Sequence, residues 1–100
     1  MEGEAFFLIP KDLQLIIDGK PSDLSRTECK LLEELASRPR IFVANTELLT
    51  SVWGGYVNST ALPVYIRRLR LKLGDKQPYK YLLNRRDVGY SLNTDQEVYS

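Results

Sequence analysis

A chain of 100 residues, 43% hydrophobic and 27% charged, has the length for one core and the composition of an ordinary globular domain. It carries no histidine and a single cysteine, Cys29, which excludes an internal disulfide, removes the commonest general base and leaves no ligand set for zinc; no catalytic residue, metal or cofactor is expected. No apolar run approaches the ~20 residues needed to cross a bilayer, and the N-terminus lacks the basic-then-apolar pattern of a signal peptide, so the cytoplasm is the expected compartment.

In chain order, AFFLI at 5–9 is an apolar run closed by Pro10, and LQLIID at 13–18 follows it. Asp18-Gly19 signals a two-residue turn, after which KPSDL returns as a short strand. The pattern predicts an N-terminal antiparallel sheet of three or four short strands, with Pro10 and Pro21 at strand ends or edges. Such strands cover one side of a core and need carry no chemistry.

LSRTECKLLEELASRP is the clearest helix. Ser25 to Glu28 spells a capping box, Leu24 and Cys29 stand where a hydrophobic staple packs, and Leu31, Leu32, Leu35 and Ala36 supply the inner face, with Pro39 as the stop. Cys29 reads as a small core residue rather than a reactive thiol. Ile41-Phe42-Val43 forms a short β-like link. A second helix is predicted from about Asn45 to Trp53, with Leu48, Leu49, Val52 and Trp53 inward and Asn45 or the preceding turn as cap. Gly54-Gly55 ends it, and Tyr56-Val57 leads on.

NSTALPVYIRRLRLKLG, from Asn58 to Gly74, organises the rest. Leu62, Ile66, Leu69 and Leu73 recur at helical spacing and form one apolar stripe, while Val64 and Arg68 fall roughly opposite. Ser59 or Asn58 is placed to cap the start, Gly74 to take a left-handed C-terminal position, and Lys72 to face the negative helix end. Pro63 implies an irregular first turn or a regular helix that starts nearer Leu62. Arg67, Arg68 and Arg70 can serve an anionic groove, and a merely solvated face is the competing reading. After a DKQP loop, Tyr79 to Asn84 and Gly89 to Asn93 predict a hairpin turned by RRDVG; the tail TDQEVYS is expected to be loosely held.

The net charge is only +1, yet charge is segregated. Between Ile66 and Arg86 stand Arg67, Arg68, Arg70, Lys72, Lys76, Lys80, Arg85 and Arg86 against Asp75 alone. A sheet, three helices and a terminal hairpin, with the third helix and the hairpin both basic, fits an α+β winged helix-turn-helix with a C-terminal wing. One domain over 1–100 is expected, its core at about 5–93.

The motifs LLxxVWG, IRRLRxKL and VGYxL, in that order, resemble the OmpR/PhoB-type effector domain of bacterial response regulators, across roughly residues 5–93. The resemblance implies sequence-specific double-stranded DNA binding for transcription regulation in a two-component system, with the third helix in the major groove and the wing in the minor groove. It points to Val64 and Arg68 as groove-facing, with Tyr65 nearby. Arg67 and Arg70 match positions that bind phosphate or hold neighbouring groups, Asn84 one where a hydroxyl often meets phosphate, and Arg86 the arginine that enters the minor groove. The segment holding Trp53, Gly55, Tyr56 and Asn58 resembles one that can touch RNA polymerase; for Trp53 a core plug is the stronger reading. Arg85 and Lys80 add phosphate-binding charge, and Arg70 can also be partly structural, paired with Glu33 or Glu34. Pairing of two domains on repeated half-sites is expected, and no receiver domain lies within these residues.

Three positions depart from the family pattern. Thr60 replaces an arginine usual near the start of the third helix, Pro63 an acidic residue, and Asp87 the glycine after the wing arginine. Asp87 is expected to pair with Arg85 or Arg86 and hold it back until DNA arrives. These departures, with the outward Val64 and Leu71, favour the alternative of a winged-helix protein-interaction module with little DNA affinity. An enzyme is the weakest class.

Overall fold

The computed structural model describes residues 6–55 and 60–93. The chain begins with three antiparallel strands, β1 (Phe6–Ile9), β2 (Gln14–Ile17) and β3 (Lys20–Asp23), in the order β1-β2-β3. Pro10 opens a single 3-10 turn between β1 and β2, and Asp18 and Gly19 both take positive φ in the tight turn to β3. Pro21 sits in the edge strand β3, where a missing amide costs no ladder bond on the open side. Leu8 and Leu15, paired across β1 and β2, are fully buried and anchor this sheet to the helices.

Helix α1 (Arg26–Ala36) starts as its sequence specifies. The Glu28 amide donates to Ser25 Oγ at 3.1 Å, and the Ser25 amide donates to Glu28 Oε1 at 2.8 Å. The helix ends at Ala36, ahead of Pro39, and Ser37 Oγ donates to the Glu34 carbonyl at 2.8 Å. Cys29 is buried in the core; burial and the nearby Glu33 carboxylate push its thiol pKa up, away from reactive thiolate behaviour.

Strand β4 (Val43–Ala44) is displaced from the expected 41–43 link, because Ile41 is 56% exposed and only Val43 turns into the core. Helix α2 (Asn45–Trp53) has the expected bounds, but its cap position is Ala44 and no side chain caps it. Asn45 does not serve: its amide instead donates to the Val88 carbonyl at 3.1 Å, and its Oδ1 is buried without a partner among the described residues. Leu48 and Val52 are buried, with Leu49 and Trp53 partly buried against the same core.

Helix α3 (Ala61–Leu73) buries Leu62, Ile66, Leu69 and Leu73, the predicted stripe, and ends at Gly74 with φ 70°. Thr60 occupies the cap position in helical geometry and makes no side-chain cap bond; the candidate caps Asn58 and Ser59 lie outside the described residues. Pro63 stands third in the helix, within the first turn, where amides lack intrahelical acceptors, so its missing N–H disrupts nothing. Strands β5 (Leu82–Arg85) and β6 (Gly89–Leu92) form the terminal hairpin, and β6 lies in the middle of a second sheet ordered β4-β6-β5. The expected loose tail, 94–100, is outside the described residues.

A part-buried ion pair joins the two ends of the helical layer. Lys72 Nζ donates to Glu28 Oε1 and to the Asp23 carbonyl, each at 2.6 Å, tying the end of α3 to β3 and the start of α1. Burial alone would raise the Glu28 carboxyl, but Lys72 and the Ser25 amide and hydroxyl outweigh it and hold the pKa below the ordinary 4.5. The resulting stabilisation is complete above the unfolded value and is lost as pH falls through the lower folded one. Lys72→Met should therefore destabilise the domain by roughly 2–4 kcal/mol at neutral pH, since it strands a buried carboxylate. Urea melts should show the gap from the parent chain narrowing as Glu28 becomes protonated below 4.5.

Candidate nucleic-acid interface

With the stripe of α3 turned inward, the opposite face carries Val64, Arg67, Arg68 and Leu71, all exposed. Tyr65 lies at the border. Its ring packs against Trp53 at 5.4 Å between centroids and 59° between planes, joining α2 to α3, and the Arg68 guanidinium lies over it at 4.8 Å. Tyr65 is thus a half-buried shelf under Arg68, which fixes the direction of a long side chain without spending its hydrogen-bond donors. Trp53 is half-buried against the core, and Gly55, at φ 81°, is exposed beyond the end of α2. Tyr56 and Asn58, the other residues of the expected polymerase-contact segment, lie outside the described residues.

Arg70 departs from expectation. Its guanidinium is engaged by the backbone rather than by the expected acid: Nε and Nη2 donate to the Leu82 carbonyl at 3.0 and 2.6 Å, and the guanidinium stacks 3.6 Å from the Tyr79 ring centre. A partly buried guanidinium spent on a backbone acceptor joins α3 to the root of the wing and is not free to bind phosphate with those donors. Glu34 instead meets Arg38 at 3.6 Å, and Arg38 reaches Glu47 at 2.6 Å, linking α1 to α2.

Asp75 is buried directly after the Gly74 cap, and its carboxylate accepts from three successive amides: Lys80 at 2.8 Å, Tyr81 at 3.0 Å and Leu82 at 2.9 Å. The α3–β5 loop is folded around this one side chain. The lone acid in a basic run, placed just after a helix-ending glycine, was the available signal for it.

The wing presents Asn84, Arg85, Arg86, Asp87 and Val88 to solvent. Arg85 lies over the Phe42 ring at 5.0 Å. Arg70, Arg85, Asn84, Gln77, Phe42, Tyr79 and Leu83 line a recess of about 700 Å³ between the α3–β5 loop and β5, with no acidic residue in its wall. Among the described residues no ion pair joins Asp87 to Arg85 or Arg86, so the expected restraint of a wing arginine is not formed; Asp87 instead occupies a turn at φ 64°. Arg67, Arg68 and Arg86 likewise have no ion-pair partner among the described residues.

Two helices packed at a glycine-ended joint, the second exposing arginines and locked to a basic hairpin, define a winged helix-turn-helix of the nucleic-acid-binding kind. The chain belongs to the family described as "Transcriptional regulatory protein, C terminal", the OmpR/PhoB-type DNA-binding domain, whose model matches residues 19–92. It is 35% identical over 97 residues to the phosphate regulon transcriptional regulatory protein PhoB of Pseudomonas aeruginosa, covering 94% of this chain and 42% of that protein. It is 37% identical over 93 residues to the transcriptional regulatory protein KdpE of Mycobacterium tuberculosis, covering 90% of this chain and 41% of that protein. The chain therefore spans less than half the length of these relatives. Its fold superposes on the DNA-binding domain of CpxR from E. coli with a TM-score of 0.79 at 28% identity, covering 94% of this chain and 95% of that one. The RstA DNA-binding domain of Klebsiella pneumoniae, solved in complex with the RstA box, shares the fold at a TM-score of 0.78 and 24% identity, over 93% and 95% of the two chains. The family is one of transcription regulators rather than enzymes. Among the described residues no helix is long and apolar enough to cross a membrane.

Proposed function

We propose that this domain recognises a DNA sequence by laying the outward face of α3 in the major groove while the β5–β6 wing reaches the adjacent minor groove. The observation that carries the reading is the link between two sets of arginines that have no ion-pair partner among the described residues. Arg67 and Arg68 stand on α3, Arg86 stands on the wing, and the Arg70–Leu82 bonds hold those elements together. Arg68, oriented by Tyr65, is suited to bind guanine O6 and N7 through its planar fork, and Val64 offers apolar contact to a thymine methyl. Thr60, Arg67, Lys80, Asn84 and Arg85 are exposed and suited to backbone phosphates; Arg70 acts behind them as the brace between helix and wing. Arg86 takes the minor groove. RNA polymerase at the segment around Trp53, Gly55, Tyr56 and Asn58, a second copy on a repeated half-site, and regulation by a receiver domain outside this chain complete the reading, which sets the protein in the cytoplasm. The protein-interaction alternative gives no reason for arginines on both elements that meet no acid among the described residues, and is not favoured.

The test compares two substitutions on matched and scrambled duplexes at two salt concentrations. Arg68→Ala should relax sequence preference, at a cost of about 1–3 kcal/mol on the matched duplex alone. Lys80→Ala should weaken both duplexes alike and lower the salt slope by about one. Equal losses on both duplexes for Arg68→Ala would remove Arg68 as a reader of bases.

A further inference from the structure

The wing turn carries a residue whose charge runs against its neighbours. The Val88 amide donates to the Arg85 carbonyl at 3.0 Å, closing a turn with Arg86 and Asp87 at its centre. Asp87, the third residue of that turn, has φ 64°, a left-handed conformation that glycine and asparagine fill most readily and that aspartate tolerates. The side chain is exposed, makes no ion pair with the adjacent arginines among the described residues, and caps no amide there. Among the described residues the wing turn therefore accepts a carboxylate at this point but does not require one.

A carboxylate offers hydrogen-bond acceptors and no donor at neutral pH. In the minor groove an A·T pair shows only the acceptors adenine N3 and thymine O2, whereas a G·C pair adds the guanine N2 amine as a donor. A-tracts also narrow that groove and concentrate its negative potential, which favours a tip made of arginine alone and penalises one that includes aspartate. We propose that Asp87 is a specificity-determining residue of the wing. It accepts from guanine N2 in the minor groove and rejects A·T-rich segments that Arg86 by itself would favour. The inference rests on the reading of the wing as a minor-groove element.

The test begins with duplexes enriched from a random library by the 100-residue chain. The core bound by α3 is kept, and the segment under the wing is made all A·T, all G·C, or all I·C, since inosine keeps the guanine major-groove edge but lacks the N2 amine. The parent chain should bind the G·C segment roughly five- to tenfold tighter than the A·T segment, and inosine should abolish that advantage. Asp87→Gly fits the left-handed backbone and removes every side-chain acceptor, so it should erase the preference; Asp87→Asn keeps one acceptor oxygen and should retain at least part of it, with thermal melts confirming that both variants fold. Tighter binding to A·T, inosine binding as well as guanine, or a G·C preference that survives Asp87→Gly would each overturn the inference while leaving the α3 reading to its own Arg68→Ala result. Failure to enrich any sequence would overturn both.

Discussion

Asp75→Ala should lower the unfolding free energy by roughly 3–5 kcal/mol, because it orphans three amides around one buried acceptor. The Lys80, Tyr81 and Leu82 amides all point at the Asp75 carboxylate, and no water-facing route replaces it for the buried Leu82 amide. Asp75→Asn should cost about half as much, since one amide oxygen remains while the new NH2 confronts a donor. The effect extends beyond stability. The Leu82 carbonyl receives Arg70, so a loosened loop also releases the brace between α3 and the wing. Urea titration measures the loss, and hydrogen exchange should show deprotection at Lys80, Tyr81 and Leu82 ahead of the N-terminal sheet. Uniform deprotection across both sheets would contradict a local role.

The second large effect lies at Gly89, where any side chain is excluded. A Cβ there would fall 1.8 Å from the Val43 carbonyl oxygen, 2.7 Å from its carbon and 3.1 Å from Ala44 Cα. All three are backbone atoms of a paired strand, so no rotamer change relieves the overlap, and β6 must part from β4. Gly89→Ala should cost about 4 kcal/mol or more and leave the wing unformed. Gly19→Ala is the control. Gly19 has φ 80° but open space within 4 Å of a Cβ, so that substitution carries only the left-handed penalty of about 1–2 kcal/mol. Thermal melts of the two variants that matched each other would contradict the packing argument.

Local rules made much of this fold legible. The Asp18-Gly19 turn, the Ser25–Glu28 capping box, the Leu62-Ile66-Leu69-Leu73 stripe and the Gly74 cap each depend on residues within one turn or one hairpin, and each formed where its pattern stood. What escaped was long-range or backbone-directed. Lys72 reads in the sequence as a cation for the helix end, but its main partner is Glu28, 44 residues away, and no spacing rule announces such a pair. In the sequence Arg70 reads as a phosphate contact or as the partner of an acid, whereas its acceptor is a carbonyl, which every residue possesses and none advertises. Asn45 has the chemistry of a cap, yet β4 leads directly into α2 and leaves its side chain no place to act. At the candidate interface, exposure of Val64, Arg67, Arg68 and Arg86 followed from periodicity and turn position. The Tyr65 shelf and the Phe42–Arg85 contact required the tertiary arrangement.

The central claim is that the outward face of α3 and the tip of the wing engage one duplex together. Titration of the isotopically labelled chain with an enriched duplex, followed by backbone amide shifts, tests this directly. The claim predicts two groups of perturbed amides, one on α3 around Val64 to Arg68 and one at Asn84 to Val88, saturating at the same stoichiometry while β1–β3 stay unmoved. Perturbation centred on β1–β3, or on α3 with the wing silent, would contradict it.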